Sequence, residues 1–224
     1  MKIRELITEE AYVSHGVVNA LRKKGYKRLG SGAEAEAWLE PGTGLILKII
    51  GTSTNSFKNP GMMTGVHSTF KAFVNFCKAN PNNPFLPQFS GWEKFTFDGD
   101  TYLQVRMERL FPMKRAGWGD ALEEIADTVE AEVSGSPFAL SRKETIDGIL
   151  NNPNNGIKYK ELFTHLGRDG FNLLWNTIEK LLRQMPRGVK FDLHSNNFML
   201  GSDGQIVISD PYYSGSDFYG MDSN

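Results

Sequence analysis

The sequence predicts an α+β fold, with strands concentrated in the first half of the chain and helices in the second. Short β-favouring runs are bounded by turn-forming residues, and Asp98-Gly99 separates two such runs, as expected for a tight hairpin. From residue 120 onward, apolar residues recur mainly at the spacing of a helix. Strands followed by helices favour an antiparallel sheet and a separate, mainly helical part. The first strands are predicted at 26–29, 35–40 and 45–50.

Composition limits the class of protein. The chain has 224 residues, of which 40% are hydrophobic and 23% charged, and its net charge is −1. A chain of this length can form one substantial core or two small lobes, and its composition is ordinary for a globular protein. The net charge near zero predicts no nucleic-acid partner and no attachment to an acidic membrane. The single cysteine, Cys77, excludes an intramolecular disulfide and a cysteine-rich zinc site. With no membrane-spanning apolar run and no signal-peptide segment, we expect a cytoplasmic protein.

Two helices are predicted in the first half of the chain. The first spans 8–24, with Thr8 as its cap and Gly25 as its stop. A loop rich in Gly, Ser, Thr and Asn is predicted over 51–65. The second helix follows at 66–78, where apolar residues recur at helical spacing. Its predicted buried residues are Phe70, Phe73, Val74 and Cys77.

Three further helices are predicted in the second half. Asp120 with Glu123, and Ser141 with Glu144, have the spacing of capping boxes, so each pair is expected to start a helix. The strongest amphipathic pattern spans 169–184 and stops before a proline and a glycine. Its predicted buried face consists of Phe171, Leu174, Trp175, Ile178, Leu181 and Leu182.

The most informative segment lies after this helix. Asn197 follows Asp192 by five positions, and Asp210 follows Asn197 by thirteen. Between Asn197 and Asp210, two apolar runs flank a turn containing Asp203-Gly204, which predicts a hairpin. The hairpin would bring its two ends, and therefore Asn197 and Asp210, close together. Two carboxylates and an amide oxygen are the groups needed for magnesium-dependent phosphoryl transfer.

A second candidate motif lies near the start of the chain. The segment containing Gly30, Ser31 and Gly32 would allow phosphates to approach the backbone closely. Lys48 lies within the apolar run 45–50, where a lone ammonium is costly to bury, so we expect it to have a function. A cation there could reach the α and β phosphate oxygens of a nucleotide.

This second motif resembles the nucleotide-binding motifs of protein kinases. The run 29–38 resembles the opening L-G-x-G-x-x-G-x-V, with Ala35 at the third glycine. The run 45–48 resembles the V-A-I-K strand, with Lys48 at the lysine. Because this motif precedes the Asp192 segment at a kinase-like distance, the two motifs support each other.

The Asp192 segment resembles a kinase catalytic loop. The distance from Asp192 to Asn197 fits H-R-D-x-x-x-x-N, and His194 matches the H-x-D-x-H-x-x-N form found in small-molecule kinases. The run 191–199, together with Asp210-Pro211, is similar to the early serine/threonine protein kinases of short-tailed bacteriophages.

The resemblance implies a two-lobed, protein-kinase-like fold. It implies an N-terminal nucleotide-binding lobe with an antiparallel sheet at 1–107, a hinge at 108–111, and a helical C-terminal lobe with a minimal C-terminus at 112–224. It also implies an ATP- and Mg²⁺-dependent enzyme that transfers the γ-phosphate to serine or threonine of host proteins, in the transcription or translation machinery. A phage-encoded protein would act in the host cytoplasm.

The same resemblance implies a role for each motif residue. Asp192 would orient the acceptor hydroxyl and take its proton, and Lys48 would hold the α and β phosphates. Asn197 and Asp210 would bind Mg²⁺ between the phosphates and so contact ATP as well. The remaining ATP-binding residues implied are Gly30, Ser31, Gly32 and Met107.

Three features depart from the kinase pattern. Lys190 replaces the leading histidine of the catalytic loop, and Pro211 follows Asp210 where kinases have Phe. The predicted helix 66–78 has no acidic residue, so an ion pair of Lys48 either uses a carboxylate from elsewhere or does not form. The candidate carboxylates are Glu34, Glu36 and Glu93.

Two alternatives and one modification stay open at this point. A pseudokinase that only binds a nucleotide or a host partner is favoured by the missing helix carboxylate and the incomplete glycine motif. A small-molecule phosphotransferase is favoured by His194. Ser214 and Ser216 follow Asp210 closely in the sequence, and we expect autophosphorylation at one of them.

Overall fold

The computed structural model describes residues 13–31, 35–50, 60–113, 117–137, 139–151, 157–187 and 189–213. The fold is α+β, as predicted, and the chain divides into two compact units. The first unit comprises Met1–Val74 and Gln88–Arg109, and the second comprises Asn75–Pro87 and Leu110–Asn224. Among the helices in the described ranges, none combines the length and the apolar character needed to cross a membrane.

The first unit contains a five-stranded antiparallel sheet. Its strands are β1 (Lys27–Ser31), β2 (Ala35–Leu39), β3 (Ile46–Ile50), β4 (Phe89–Phe97) and β5 (Asp100–Met107). Their order across the sheet is β1-β2-β3-β5-β4. The strands β1, β2 and β3 each agree with a predicted strand to within two residues.

The predicted hairpin between β4 and β5 is confirmed. Asp98 and Gly99 form its turn with φ angles of 52° and 87°. Two consecutive residues with positive φ match the twist of antiparallel strands, and Asp-Gly is a favoured pair for this turn. The register then follows directly, with Phe97 opposite Asp100.

Helices cover both faces of the sheet. On one face, helix α1 (His15–Lys23) buries Val17 and Leu21 against Trp38, Leu47, Ile49 and Tyr102. On the other face, helix α2 (Pro60–Ala79) packs Phe70 and Val74 against Ile50, Leu103 and Val105. Because it is covered on both sides, β3 is apolar at every position except Lys48.

The starts of both helices differ from the prediction. The side chain of Ser14 accepts a hydrogen bond from Val17 N and caps α1, so the helix does not begin at Thr8, which lies outside the described residues. The predicted loop 51–65 is wrong from Pro60 onward, because α2 begins there. Proline is well suited to the first helical position, since its missing N–H would have no partner there.

The described residues of the second unit form three helices and two small sheets. The helices are α3 (Trp118–Val133), α4 (Arg142–Asn151) and α5 (Ile157–Arg183). The strands are β6 (Phe111–Pro112), β7 (Lys190–Phe191), β8 (Phe198–Leu200), β9 (Ile206–Ile208) and β10 (Tyr212–Tyr213). One sheet has the order β6-β8-β9, and the other pairs β10 with β7.

The core of the second unit includes the predicted face of its longest helix. All six apolar residues predicted on that face are buried in α5. The helix is longer than predicted, but Gly167 interrupts it with a φ of 65° and a ψ of 174°, so the predicted helix corresponds to the segment after this kink. The facing helix α3 buries Trp118, Ala121, Leu122, Ile125, Ala126 and Val129.

One predicted capping box is confirmed and the other is wrong. Glu144 Oε2 accepts hydrogen bonds from Ser141 N at 2.8 Å and from Ser141 Oγ at 2.7 Å. By contrast, α3 begins two residues before Asp120, with Gly117 as its cap at a φ of 79°. Asp120 therefore lies in the first turn, where its carboxylate interacts favourably with the helix dipole.

Two ionisable groups in this core are expected to make the protein less stable at alkaline pH. Burial raises the pKa of the Cys77 thiol. The pKa of Tyr212 is raised mainly by burial and secondly by the charge of the nearby Cys77, and its hydroxyl donates to Leu181 O at 2.8 Å. Both groups are protonated when folded, so the unfolded chain releases protons first as the pH rises. Above about pH 8.5 we expect the free energy of unfolding to fall, by up to about 1.4 kcal/mol per pH unit for each ionising group.

Urea denaturation at several pH values measures this decline. In Cys77→Ala, the slope between about pH 8.5 and 9.5 should become shallower, because the phenol of the unfolded chain ionises only near pH 10. An unchanged slope in this variant would contradict the assignment to Cys77.

Candidate functional site

The backbone around Asp192 is fixed by the residues that follow the second hairpin. Strand β7 ends at Phe191 and pairs with Tyr212 of β10. Next to this pair, Asp192 N donates a hydrogen bond to Pro211 O at 2.9 Å. Asp192 therefore lies beside the Asp210-Pro211 segment, although 18 positions separate Asp192 from Asp210.

Asn197 is tied to both sides of the same site. It ends a short 3-10 turn, and its Nδ2 donates to Asp192 O at 2.6 Å. Its own carbonyl accepts a hydrogen bond from Ser209 N at 2.8 Å. This bond lies at the open end of the predicted hairpin, which β8 and β9 form. The residue after Ser209 is Asp210, so the three predicted residues Asp192, Asn197 and Asp210 are brought together.

His194 orders the loop between Asp192 and Asn197. Its Nδ1 accepts a hydrogen bond from Asn196 N at 3.2 Å, and its Nε2 lies 3.8 Å from Asp192 Oδ2. The side chains of His194 and Asp192 are 43% and 42% exposed. The Asp192 carboxylate is therefore accessible, while main-chain hydrogen bonds hold its position.

The loop also contacts a residue that the sequence pattern did not identify as part of the site. Glu123 of α3 accepts a hydrogen bond from Ser195 N at 2.8 Å, across 72 positions of the chain. The spacing of Asp120 and Glu123 in the sequence predicts a capping box instead. No local signal distinguishes the two uses of a helical glutamate, because the second depends on a long-range contact.

Asn197 and Asp210 offer a partial set of ligands for Mg²⁺. Because Asn197 Nδ2 is engaged with Asp192 O, its Oδ1 is the atom that could bind a cation. Within the described part of the chain, no group of three or more His, Cys, Asp or Glu side chains could hold a metal ion. An amide and a carboxylate nevertheless fit Mg²⁺, which commonly uses one or two carboxylates together with substrate phosphates.

Lys48 occupies the centre of the sheet in the first unit. It lies on β3 between Ala37 of β2 and Val105 of β5. Its Nζ is 4.6 Å from the centre of the Phe70 ring on α2, so the side chain extends on the α2 face of the sheet. This contact is close enough for a cation–π interaction.

Two of the three carboxylates proposed as partners of Lys48 lie on the opposite face. Glu36 precedes Ala37, which is directly opposite Lys48, and successive side chains of a strand alternate between faces. Glu36 instead binds Arg28 Nη2 at 2.6 Å and Trp38 Nε1 at 3.0 Å. Glu93 shares the face of Ile49 and contacts Gln104 and Arg106. Glu34 lies outside the described residues.

The glycine-rich segment is described only at its start. Gly30 pairs with Ala37, and Ser31 pairs with Glu36, whereas Gly32 lies outside the described residues. No described residue would lie within 4 Å of a Cβ added at Gly30. The packing of the described residues therefore does not explain why this position is glycine.

The remaining predicted residues have the following positions. Met107 ends β5, opposite Ile46 and Phe89, and is buried. Ser214 and Ser216 lie outside the described residues.

Comparison with protein-family models and with curated proteins gave no match to this chain.

Proposed function

We propose that this protein is an ATP- and Mg²⁺-dependent serine/threonine protein kinase with a two-lobed, kinase-like fold. The observation that carries the proposal is a group of three hydrogen bonds in the second unit. Asp192 N binds Pro211 O, Asn197 Nδ2 binds Asp192 O, and Ser209 N binds Asn197 O. These bonds gather two carboxylates and an amide that are separated in the sequence.

The gathered groups have complementary chemistry. The partly exposed Asp192 carboxylate would accept the proton of the acceptor hydroxyl, since its oxygens are reachable from solvent. Asn197 and Asp210 would hold Mg²⁺, and the phosphates of ATP would complete its ligands. The metal would neutralise charge that develops on the transferred phosphoryl group.

The first unit supports the proposal independently. In protein kinases, the lysine that binds the α and β phosphates lies on the third strand and is followed by a helix. Lys48 lies on β3, and α2 is the next helix. Among the described residues, none would lie within 4 Å of a Cβ added at Gly30 on β1, so a phosphate could approach the backbone there. We assign ATP binding to these residues, together with Ser31, Gly32 and Met107.

The substrates we propose are serine and threonine residues of host proteins in the transcription or translation machinery, reached in the host cytoplasm. This part of the proposal depends on the similarity of the catalytic loop to phage kinases. The enzyme would also phosphorylate itself at Ser214 or Ser216.

A pseudokinase is the second candidate. The observation that favours it is the composition of α2, which contains no Asp or Glu over its whole length. In active kinases, a carboxylate of this helix orients the phosphate-binding lysine. A pseudokinase would bind a nucleotide without transferring its phosphate.

Phosphate transfer to protein tests the proposal. The purified chain is incubated with ATP carrying a labelled γ-phosphate, with Mg²⁺ or with EDTA, alone and with a bacterial lysate. We expect label on lysate proteins and on Ser214 or Ser216 of the chain, and we expect EDTA to abolish both. Peptide mass spectrometry identifies the labelled serines.

The other outcomes discriminate between the candidates. A rise in melting temperature with ATP and Mg²⁺ but no transferred label would favour the pseudokinase. Label on a small molecule of the lysate, with none on protein, would favour a small-molecule phosphotransferase.

A further inference from the structure

The loop 192–197 is held by hydrogen bonds within the loop and by a hydrogen bond to helix α3. Within the loop, His194 and Asn197 bind neighbouring main-chain atoms. From outside, Glu123 Oε2 accepts from Ser195 N, which lies midway between Asp192 and Asn197. A carboxylate that accepts from a main-chain N–H forms a charge-assisted hydrogen bond, which is stronger than a neutral one.

A second contact on the same helix reinforces this bond. A Cβ added at Gly119 would lie 3.0 Å from Ser195 Cβ and 3.4 Å from Ser195 O. Gly119 is four residues before Glu123, so both positions lie on one face of α3. The helix backbone therefore touches the loop at the residue that Glu123 binds.

The helix that carries these two contacts is firmly packed. Six residues of α3 are buried, and the helix packs against α5. The glutamate itself is only half-buried, so its carboxylate is not needed to fill the core. Its position is better explained by the loop that it binds.

We infer that Glu123 is a positioning residue, which sets the distance between Asp192 and Asn197 by holding Ser195 against α3. The inference rests on the proposed function, because the loop is the segment to which we assign catalysis. A displaced loop would misplace the Asp192 carboxylate relative to the acceptor hydroxyl, while the ATP contacts of the first unit would be unaffected. Misplacement of reacting groups by about 1 Å can reduce rates by about 100-fold.

The test compares Glu123→Ala with Glu123→Gln. The amide oxygen of glutamine can still accept from Ser195 N, so the second variant keeps the hydrogen bond and loses only the charge. We expect Glu123→Ala to lower kcat by about ten- to a hundredfold with little change in KM for ATP. Glu123→Gln should keep kcat within about threefold of the wild type, and Gly119→Ala should lower kcat like Glu123→Ala, because its methyl group presses on Ser195.

A matched control and a second readout separate positioning from folding. Glu130→Ala removes an exposed glutamate of the same helix and should leave kcat unchanged without lowering the melting temperature. Amide hydrogen exchange should accelerate at 192–197 in Glu123→Ala and stay slow in Glu123→Gln.

Three results would overturn the inference. Wild-type kcat in Glu123→Ala would show that the bond to Ser195 does not matter for transfer. An equal loss in Glu123→Gln would show that the charge acts instead, for example on a basic substrate. Absence of transfer by the wild type itself would refute the proposed function first, and the positioning role with it.

Discussion

Replacement of Asp192 by asparagine is expected to reduce phosphate transfer by about 10²–10⁴-fold, which is the usual contribution of a positioned acid or base. Asparagine has nearly the same shape but cannot accept a proton at neutral pH. The loop should keep its conformation, because Asp192 is held through its main-chain N and O, which the substitution does not alter. The lost rate would therefore report on the carboxylate alone.

Two further measurements make this prediction specific. The melting temperature of Asp192→Asn should stay close to that of the wild type. ATP with Mg²⁺ should still raise it, because Lys48 and the glycine-rich segment, to which we assign ATP binding, are unchanged. Asp147→Asn serves as the matched control, since it makes the same chemical change at an exposed position of α4. If Asp192→Asn transferred phosphate at half the wild-type rate or more, Asp192 would not be the catalytic base.

The features that the sequence predicted well depend on local chemistry. The Asp-Gly turns at Asp98 and Asp203, the capping box at Ser141 and the buried face of α5 each involve residues close together in the chain. Turn geometry and helical periodicity act over a few residues, so a single sequence contains the information. The gathering of Asp192, Asn197 and Asp210 could be predicted in part, because the hairpin between Asn197 and Asp210 is itself local.

The features that were missed depend on competition or on long-range register. At Pro60, the polar composition of the preceding segment favoured a loop, whereas proline at the first helical position favoured a helix. Glu123 could serve a capping box or a distant main-chain N–H, and the helix start at Trp118 removed the first option. Glu36 and Glu93 were wrong as predicted partners of Lys48, because the pairing of β2 and β5 with β3, and of β4 with β5, places both glutamates on the opposite face of the sheet.

The corrected position of Glu36 gives a large stability effect. We expect Glu36→Ala to lower the free energy of unfolding by about 2–4 kcal/mol. The side chain is 2% exposed, and its loss leaves the buried indole Nε1 of Trp38 without its acceptor. Arg28, which is 38% exposed, contributes less because water can replace its partner. Urea denaturation measures the change, and Glu93→Ala is the control, because Glu93 is 60% exposed on the same sheet.

Double-mutant cycles then identify the partner of Glu36. Combining Glu36→Ala with Arg28→Ala should give a coupling energy above about 0.5 kcal/mol, because the two side chains are in contact. Combining it with Lys48→Met should give effects that simply add, because Lys48 and Glu36 lie on opposite faces of the sheet. A coupling to Lys48 larger than the coupling to Arg28 would contradict the observed register. Additivity with Lys48 would mean that Glu36 stabilises the strands next to the glycine-rich segment without acting on the lysine that we assign to ATP.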